Sequence, residues 1–320
     1  MSLGNAIGVP FGQTIDNSIY TIAPGEILLH IDASDTSTLW KDQAGTVPLT
    51  DGNEYARRVD NKAFLYYEAY GLTNTTALGK FYISLADANG ASPKWVTNAT
   101  GANGYSALYF NGSGNGLYAS MASLAEGAMF DPTGFFSGIS AATSSSGYWQ
   151  TWIVVKGVGT VSSEETVFCN TGKANVGCGY SSTEWSINLN GTDSQWEMNV
   201  DGNIKDSTVA SNANFELWSF ISPGGGGGNN AIYRNGDPSD GGTPAASVGS
   251  LMYNRVIGSN QDCSALSIGC HTNNAASTFS KNWNGYLFEM VVAYFNGTSV
   301  AGAPMVTGID NYLMNKYNIS

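Results

Sequence analysis

Histidine is nearly missing from this chain: only His30 and His271 occur in 320 residues. A three-histidine metal centre is therefore excluded, and a Ser-His-Asp triad would have to recruit one of the two. Neither lies beside a Gly-x-Ser-x-Gly elbow, the turn that presents such a serine. His271 adjoins Cys270, but in a Gly/Asn-rich stretch that reads as loop. Cysteine is scarce as well. Cys169, Cys178, Cys263 and Cys270 form no Cys-x-x-Cys, so zinc and redox motifs have little support. Cys169 and Cys178 flank NTGKANVG, a hairpin-like loop, and could pair if oxidised; in a reducing compartment they stay small buried thiols.

Charge is sparse and one-sided. Charged residues make up 12% of the chain, 13 basic against 25 acidic, for a net charge of -12. That balance speaks against a nucleic-acid backbone or an anionic membrane as partner. No apolar run reaches the length of a membrane-spanning helix. The N-terminal MSLGNAIGVPFGQTIDNSIY has neither a basic n-region nor a continuous apolar core, so no signal peptide is expected. Five glycines at 224–228 are not followed by Gly-Lys-Ser/Thr, and they read as a loop tip rather than a phosphate cradle. No Glu-x-Asp-x-Glu run, which would set paired carboxylates on one face of a strand, occurs. Glu197 and Asp201 are the nearest approach, four apart and so on one face of a strand, but Asp201 opens a Gly turn.

What is present is 42% hydrophobic content, 40 glycines and 17 tyrosines. Short alternating runs separated by turn residues predict an all-β fold. Ile27 to Asp32 is the first convincing strand. Ala107 to Phe110, Gly116 to Ala119, Tyr148 to Lys156, Thr166 to Cys169, Val176 to Tyr180, Phe215 to Ile221 and Ala231 to Arg234 follow. Trp185, Ile187 and Leu189 form one face of a strand, and Trp196, Met198 and Val200 one face of the next, before an Asp201-Gly202 turn. Leu287 to Phe295 is apolar on both faces apart from Glu289, which predicts a central strand covered on both sides. After it, Pro304 suits a first helical turn, and Val306, Ile309, Leu313 and Tyr317 recur at helical spacing. One amphipathic helix is expected near 304–317. Residues 1–24 are Gly-rich and weakly periodic and are expected to form an arm, with 25–320 as the folded domain.

ILLHIDASDTSTLW (27–40) resembles the opening of a jelly-roll module of phage and bacterial structural proteins. DGNEYARRVDNKA (51–63), SPKWVTNATGANGYSALYFNGSGNGLYAS (92–120), WIVVKG (152–157), AIYRNGDP (231–238), WNGYLFEMVVAYFNG (283–297) and YLMNKYNI (312–319) continue the match in order. The order is similar to that of the concanavalin A-like, laminin-G-type sandwich. The resemblance implies a two-sheet antiparallel jelly-roll sandwich with an N-terminal arm and one C-terminal helix. It also implies carbohydrate binding, adhesion or a structural role in a virion, with Glu289 accepting hydrogen bonds at a strand edge. Such modules often bind calcium, which would make Asp32, Asp35 and Asp51 its ligands here; the same residues are ordinary turn aspartates, so no metal is assigned.

A glycan site needs an aromatic platform beside planar polar groups. Tyr180, Trp185, Asn190 and Trp196 are the local candidates, on or near neighbouring strands, although both tryptophans open apolar faces and equally suit a core. The leading expectation is a non-enzymatic bacteriophage virion surface protein, a head decoration, fibre or tail-associated component. It would be made in the host cytoplasm, form homo-oligomers and be held to other virion proteins by the arm. A host glycan-binding adhesin is the alternative, and a polysaccharide-cleaving enzyme the third reading.

Overall fold

The computed structural model describes residues 18–22, 27–63, 65, 80–83, 92–99, 104–120, 147–157, 159–172, 184–200, 203–224, 231–236, 264–272, 279–296 and 304–319. Two large antiparallel sheets dominate. The first runs in the order β14 (Ala231–Arg234), β13 (Phe215–Gly224), β8 (Gly147–Gly157), β18 (Asn284–Asn296), β6 (Ala107–Asn111) and β5 (Lys94–Val96), with β1 (Ile27–Asp32) also paired to β18. The second has nine strands: β12 (Asn203–Ala210), β11 (Gln195–Val200), β10 (Glu184–Leu189), β9 (Glu165–Gly172), β15 (Ser264–Ile268), β7 (Leu117–Ser120), β4 (Lys80–Ile83), β3 (Arg58–Asp60) and β2 (Leu39–Trp40). A two-stranded sheet of β16 (His271–Thr272) and β17 (Phe279–Ser280) completes the described strands. The Val176–Tyr180 strand expectation lies outside the described residues.

The strand apolar on both faces is central. β18 pairs with β8 along its length, with β6 at its start and with β1 further on. Leu287 to Ala293 are all buried, Glu289 among them. The inner faces of the two sheets meet through large aromatics. Trp196 of β11 lies 5.5 Å from Trp218 and 5.9 Å from Phe220 of β13, ring centre to ring centre. Asn235 and Gly236, which follow β14, both have positive φ (51° and 74°), as a type I′ turn requires.

The other face of the first sheet carries the helix. α2 (Pro304–Tyr317) buries Ile309, Leu313 and Tyr317, three of the four residues whose spacing predicted it. Tyr317 packs edge-on against Phe288 and Phe215. Of the expected arm, only 18–22 lies among the described residues, as α1 (Ser18–Ile22). There Ile19 and Tyr20 are buried, and Ile22 packs so close to α2 that a Cβ on Gly308 would meet it at 2.6 Å. Glycine inside the helix is the accommodation for that approach.

Asp310 of α2 accepts a hydrogen bond from the Trp152 indole at 2.7 Å, and burial pushes its carboxyl up from 3.8 to about 6. A folded-state value above the unfolded one favours the protonated native state. Its stabilisation is therefore complete below about pH 4 and lost as pH rises through about 6. Asp310→Asn keeps the acceptor and removes the ionisation. In urea titrations the variant should match the parent near pH 4 and exceed it by on the order of 2 kcal/mol at pH 8. Equal stability at both pH values would show that Asp310 ionises freely.

Candidate functional site

The sequence fills two polar clusters with titratable groups. The first lies between the first sheet and α2. His30 and Asp32 of β1 stand on the same side as Glu289 of β18, because Asp32 faces Glu289 directly and His30 faces Val291 two residues on. Glu289 has no solvent exposure. Its Oε1 lies 2.7 Å from His30 Nε2, and its Oε2 accepts from Lys316 Nζ at 2.5 Å and Tyr317 O–H at 2.7 Å. With Nε2–H donating to the carboxylate, His30 Nδ1 is left to accept from the Tyr20 hydroxyl at 2.8 Å. Asp32 accepts from Lys316 at 2.8 Å, Lys62 at 3.2 Å and the Ser34 amide at 2.9 Å. Burial alone would raise the Asp32 carboxyl, but the Lys316 and Lys62 ammoniums hold it well below the usual carboxylate range. Burial would likewise lower Lys316, and Glu289 and Asp32 override it.

His30, Asp32 and Glu289 bring one ligand atom each within 4.8 Å of one another, a spacing that suits a metal. The charges around them do not. Lys316 Nζ bridges Asp32 Oδ2 and Glu289 Oε2, the place a cation would take, and Lys62 adds a second positive charge. The cluster is a closed ionic knot that ties α1, β1, β18 and α2 together. The calcium ligands implied by resemblance part company here. Asp32 and Asp35 both pair with Lys62, Asp35 also caps the short helix Thr36–Thr38, and Asp51 is an exposed turn residue outside the group. Glu289 is likewise no strand-edge acceptor: it sits in the middle of the central strand.

The second cluster lies on the outer face of the second sheet. Trp196 and Met198 turn inward, so Glu197 between them turns outward. Facing pairs set a row across four strands: Thr166 of β9, Asn188 of β10, Glu197 of β11 and Asp206 of β12. The row grades from buried Thr166 and Asn188, through Glu197 at 7% exposure, to exposed Asp206. Thr166 donates to Asn188 Oδ1 at 2.9 Å, and Asn188 donates to Ser186 Oγ at 3.0 Å. Asn190 Nδ2 donates to Glu197 Oε1 at 2.5 Å. Burial raises the Glu197 carboxyl pKa, the Asn190 bond works against that, and the charges of Asp206, Glu164 and Asp193 add to it.

Of the glycan residues expected from sequence, Asn190 is at this cluster, holding Glu197 and the turn after β10, where its Oδ1 also accepts from the Thr192 amide. Trp196 is corrected to core: it is 1% exposed and stacks on the opposite sheet, because its strand turns that face inward. Trp185 lies on β10, with its side chain outside the described residues, and Tyr180 lies outside them entirely. Asp206 was missed, and Asp201, expected beside Glu197, lies outside the described residues.

No family model and no curated protein matches the chain. Among solved structures it is similar to a Trypanosoma rangeli sialidase in complex with sialic acid, at 9% identity and a TM-score of 0.42, covering 92% of this chain and 34% of that one. It is similar to the NanB sialidase of Streptococcus pneumoniae at 10% identity and a TM-score of 0.37, covering 61% and 26%. A heptameric SAP-like pentraxin from Limulus polyphemus follows at 12% identity and a TM-score of 0.31, covering 46% and 65%. The chain spans about a quarter to a third of the length of these sialidases. Likeness at this level transfers no catalytic residue. The matches nevertheless correct the expectation of a non-enzymatic phage virion surface protein, since they run to sialidases and give a virion role no support.

Proposed function

We propose that this chain is a glycan-cleaving protein whose chemistry resides in the Glu197–Asp206 pair. The order of sequence motifs, the two antiparallel layers and the docked C-terminal helix support a concanavalin A-like jelly roll as its frame. The observation that carries the functional reading is the graded polar row on the outer sheet face. Hydrolysis of a glycosidic bond needs one carboxyl that keeps its proton and one that is ionised. Burial and neighbouring negative charge favour the proton on Glu197, and Asn190 fixes the orientation of its carboxyl. Asp206 is exposed and directly opposite, and facing residues stand about 4.5–5.5 Å apart at Cβ. In this reading Glu197 protonates the leaving oxygen as the bond to the anomeric carbon breaks. Asp206 either attacks that carbon or takes a proton from the attacking water.

The test is turnover of a panel of aryl glycosides, sialosides included, by the purified chain. At least one should be hydrolysed, and Glu197→Gln should lower its kcat by about 10²–10⁴ with the fold retained. Asp206→Asn should act in the same direction. Glycan binding without turnover would leave the adhesin reading and remove this one. Turnover indifferent to Glu197→Gln would place the chemistry elsewhere.

A further inference from the structure

A second row of side chains crosses the outer face of the first sheet, on the opposite side of the molecule from Glu197. Tyr55 faces Lys94, Lys94 faces Tyr109, Tyr109 faces Tyr286, and Tyr286 faces Lys156. Facing residues of an antiparallel pair project to the same side. The alternate residues Trp95, Leu108, Leu287 and Val155 are buried toward the core, so the row faces outward. With strands about 4.8 Å apart, five positions span roughly 19 Å. The Tyr109 and Tyr286 rings stack at 4.7 Å with 30° between their planes. Both are half-buried, and Tyr55 is 46% exposed. Asn284, two residues before Tyr286, accepts from the Tyr109 hydroxyl at 3.4 Å and adds an amide on the same side.

Each part of the row has a use toward one kind of ligand. Tyrosine rings offer flat apolar faces to the C–H face of a sugar while their hydroxyls stay wet. The Asn284 amide can donate and accept together, as vicinal hydroxyls require. Lysines stand on both sides of the tyrosine pair, in a chain with 13 basic residues and a net charge of -12. A cationic pair on an acidic protein complements a ligand carrying its own negative charge. A nucleic acid is disfavoured by the overall charge. The length of the row exceeds what a single sugar ring would use.

We propose that this row is a binding surface for an acidic oligosaccharide, in which sugar rings lie on the tyrosines and carboxylates meet Lys94 and Lys156. It is separate from the Glu197 site and does not depend on it. The test is calorimetric titration of the full chain with two probes, tri-galacturonate and a sialylated trisaccharide, each beside its neutral methyl ester. At least one acid should bind tenfold or more tightly than its ester, with affinity falling as salt rises. Lys94→Glu and Tyr55→Ala should each weaken that binding at least tenfold without moving the melting temperature. Glu197→Gln should leave it unchanged. The proposal is overturned if neither acid is preferred to its ester, or if Lys94→Glu binds like the parent. It also falls if Glu197→Gln, rather than Lys94→Glu, removes binding, because the saccharide then occupies the other face. A row that binds in a chain that cleaves nothing would overturn only the hydrolase reading.

Discussion

Lys316→Met is expected to cost about 3–5 kcal/mol of folding stability, the range for removing one partner of a buried ion pair. Lys316 Nζ lies 2.5 Å from Glu289 and 2.8 Å from Asp32, and both carboxylates are almost wholly out of solvent. Methionine fills a similar volume, so the loss measures charge rather than packing. Among the described residues, Asp32 would keep Lys62, whereas Glu289 would keep only its hydrogen bonds with His30 and Tyr317. The loss should thus be mostly Glu289's, and Lys316→Met/Glu289→Gln should recover much of it. Urea unfolding at pH 7 gives both numbers. A single-variant loss below about 1 kcal/mol, the scale of exposed pairs, would mean that water reaches the cluster. Acid should weaken the same knot. The folded-state pKa of Asp32 lies below its unfolded value, so its contribution is present above the ordinary carboxylate range and is lost as pH falls through the folded value.

This knot also marks the boundary of what the chain reveals in one dimension. The central strand and terminal helix were legible because alternation and 3.6-residue spacing are local: Leu287 to Phe295 lies within β18, and the helix expected near 304–317 is Pro304–Tyr317. Glu289 stood out in its run as the one charge, but its partner His30 is 259 residues away, and no local pattern encodes that meeting. Asp206 is a different kind of miss. The Asp201-Gly202 turn was visible, and counting outward from it pairs Val200 with Asn203, Asn199 with Ile204 and Glu197 with Asp206, as the register shows. Period-two reasoning along one strand placed Glu197 with Asp201, whereas the ladder sets Asp206 of β12 directly opposite it. Strands β3, β5 and β15 were not foreseen: each is five residues or fewer, too short for alternation to stand out from loop.

Trp196→Ala is the second large effect expected, about 3–5 kcal/mol, as for other buried large aromatics. The sequence left two readings of this residue open, and they make opposite forecasts. A platform tryptophan would be exposed, and its loss would abolish glycan binding while barely moving the melting temperature. The structure puts Trp196 at 1% exposure between the sheets, against Trp218 and Phe220. Removing it opens a cavity between the two layers, and β11 loses this aromatic anchor to Trp218 and Phe220 of the first sheet. Glu197 is the next residue, so its carboxyl depends on the same anchor. Trp196→Phe, which keeps a ring in the gap, should therefore retain most stability and most turnover, while Trp196→Ala should lose both together. A Trp196→Ala protein that melts like the parent but no longer binds glycan would return the residue to the surface and undo the assignment of the two sheet faces.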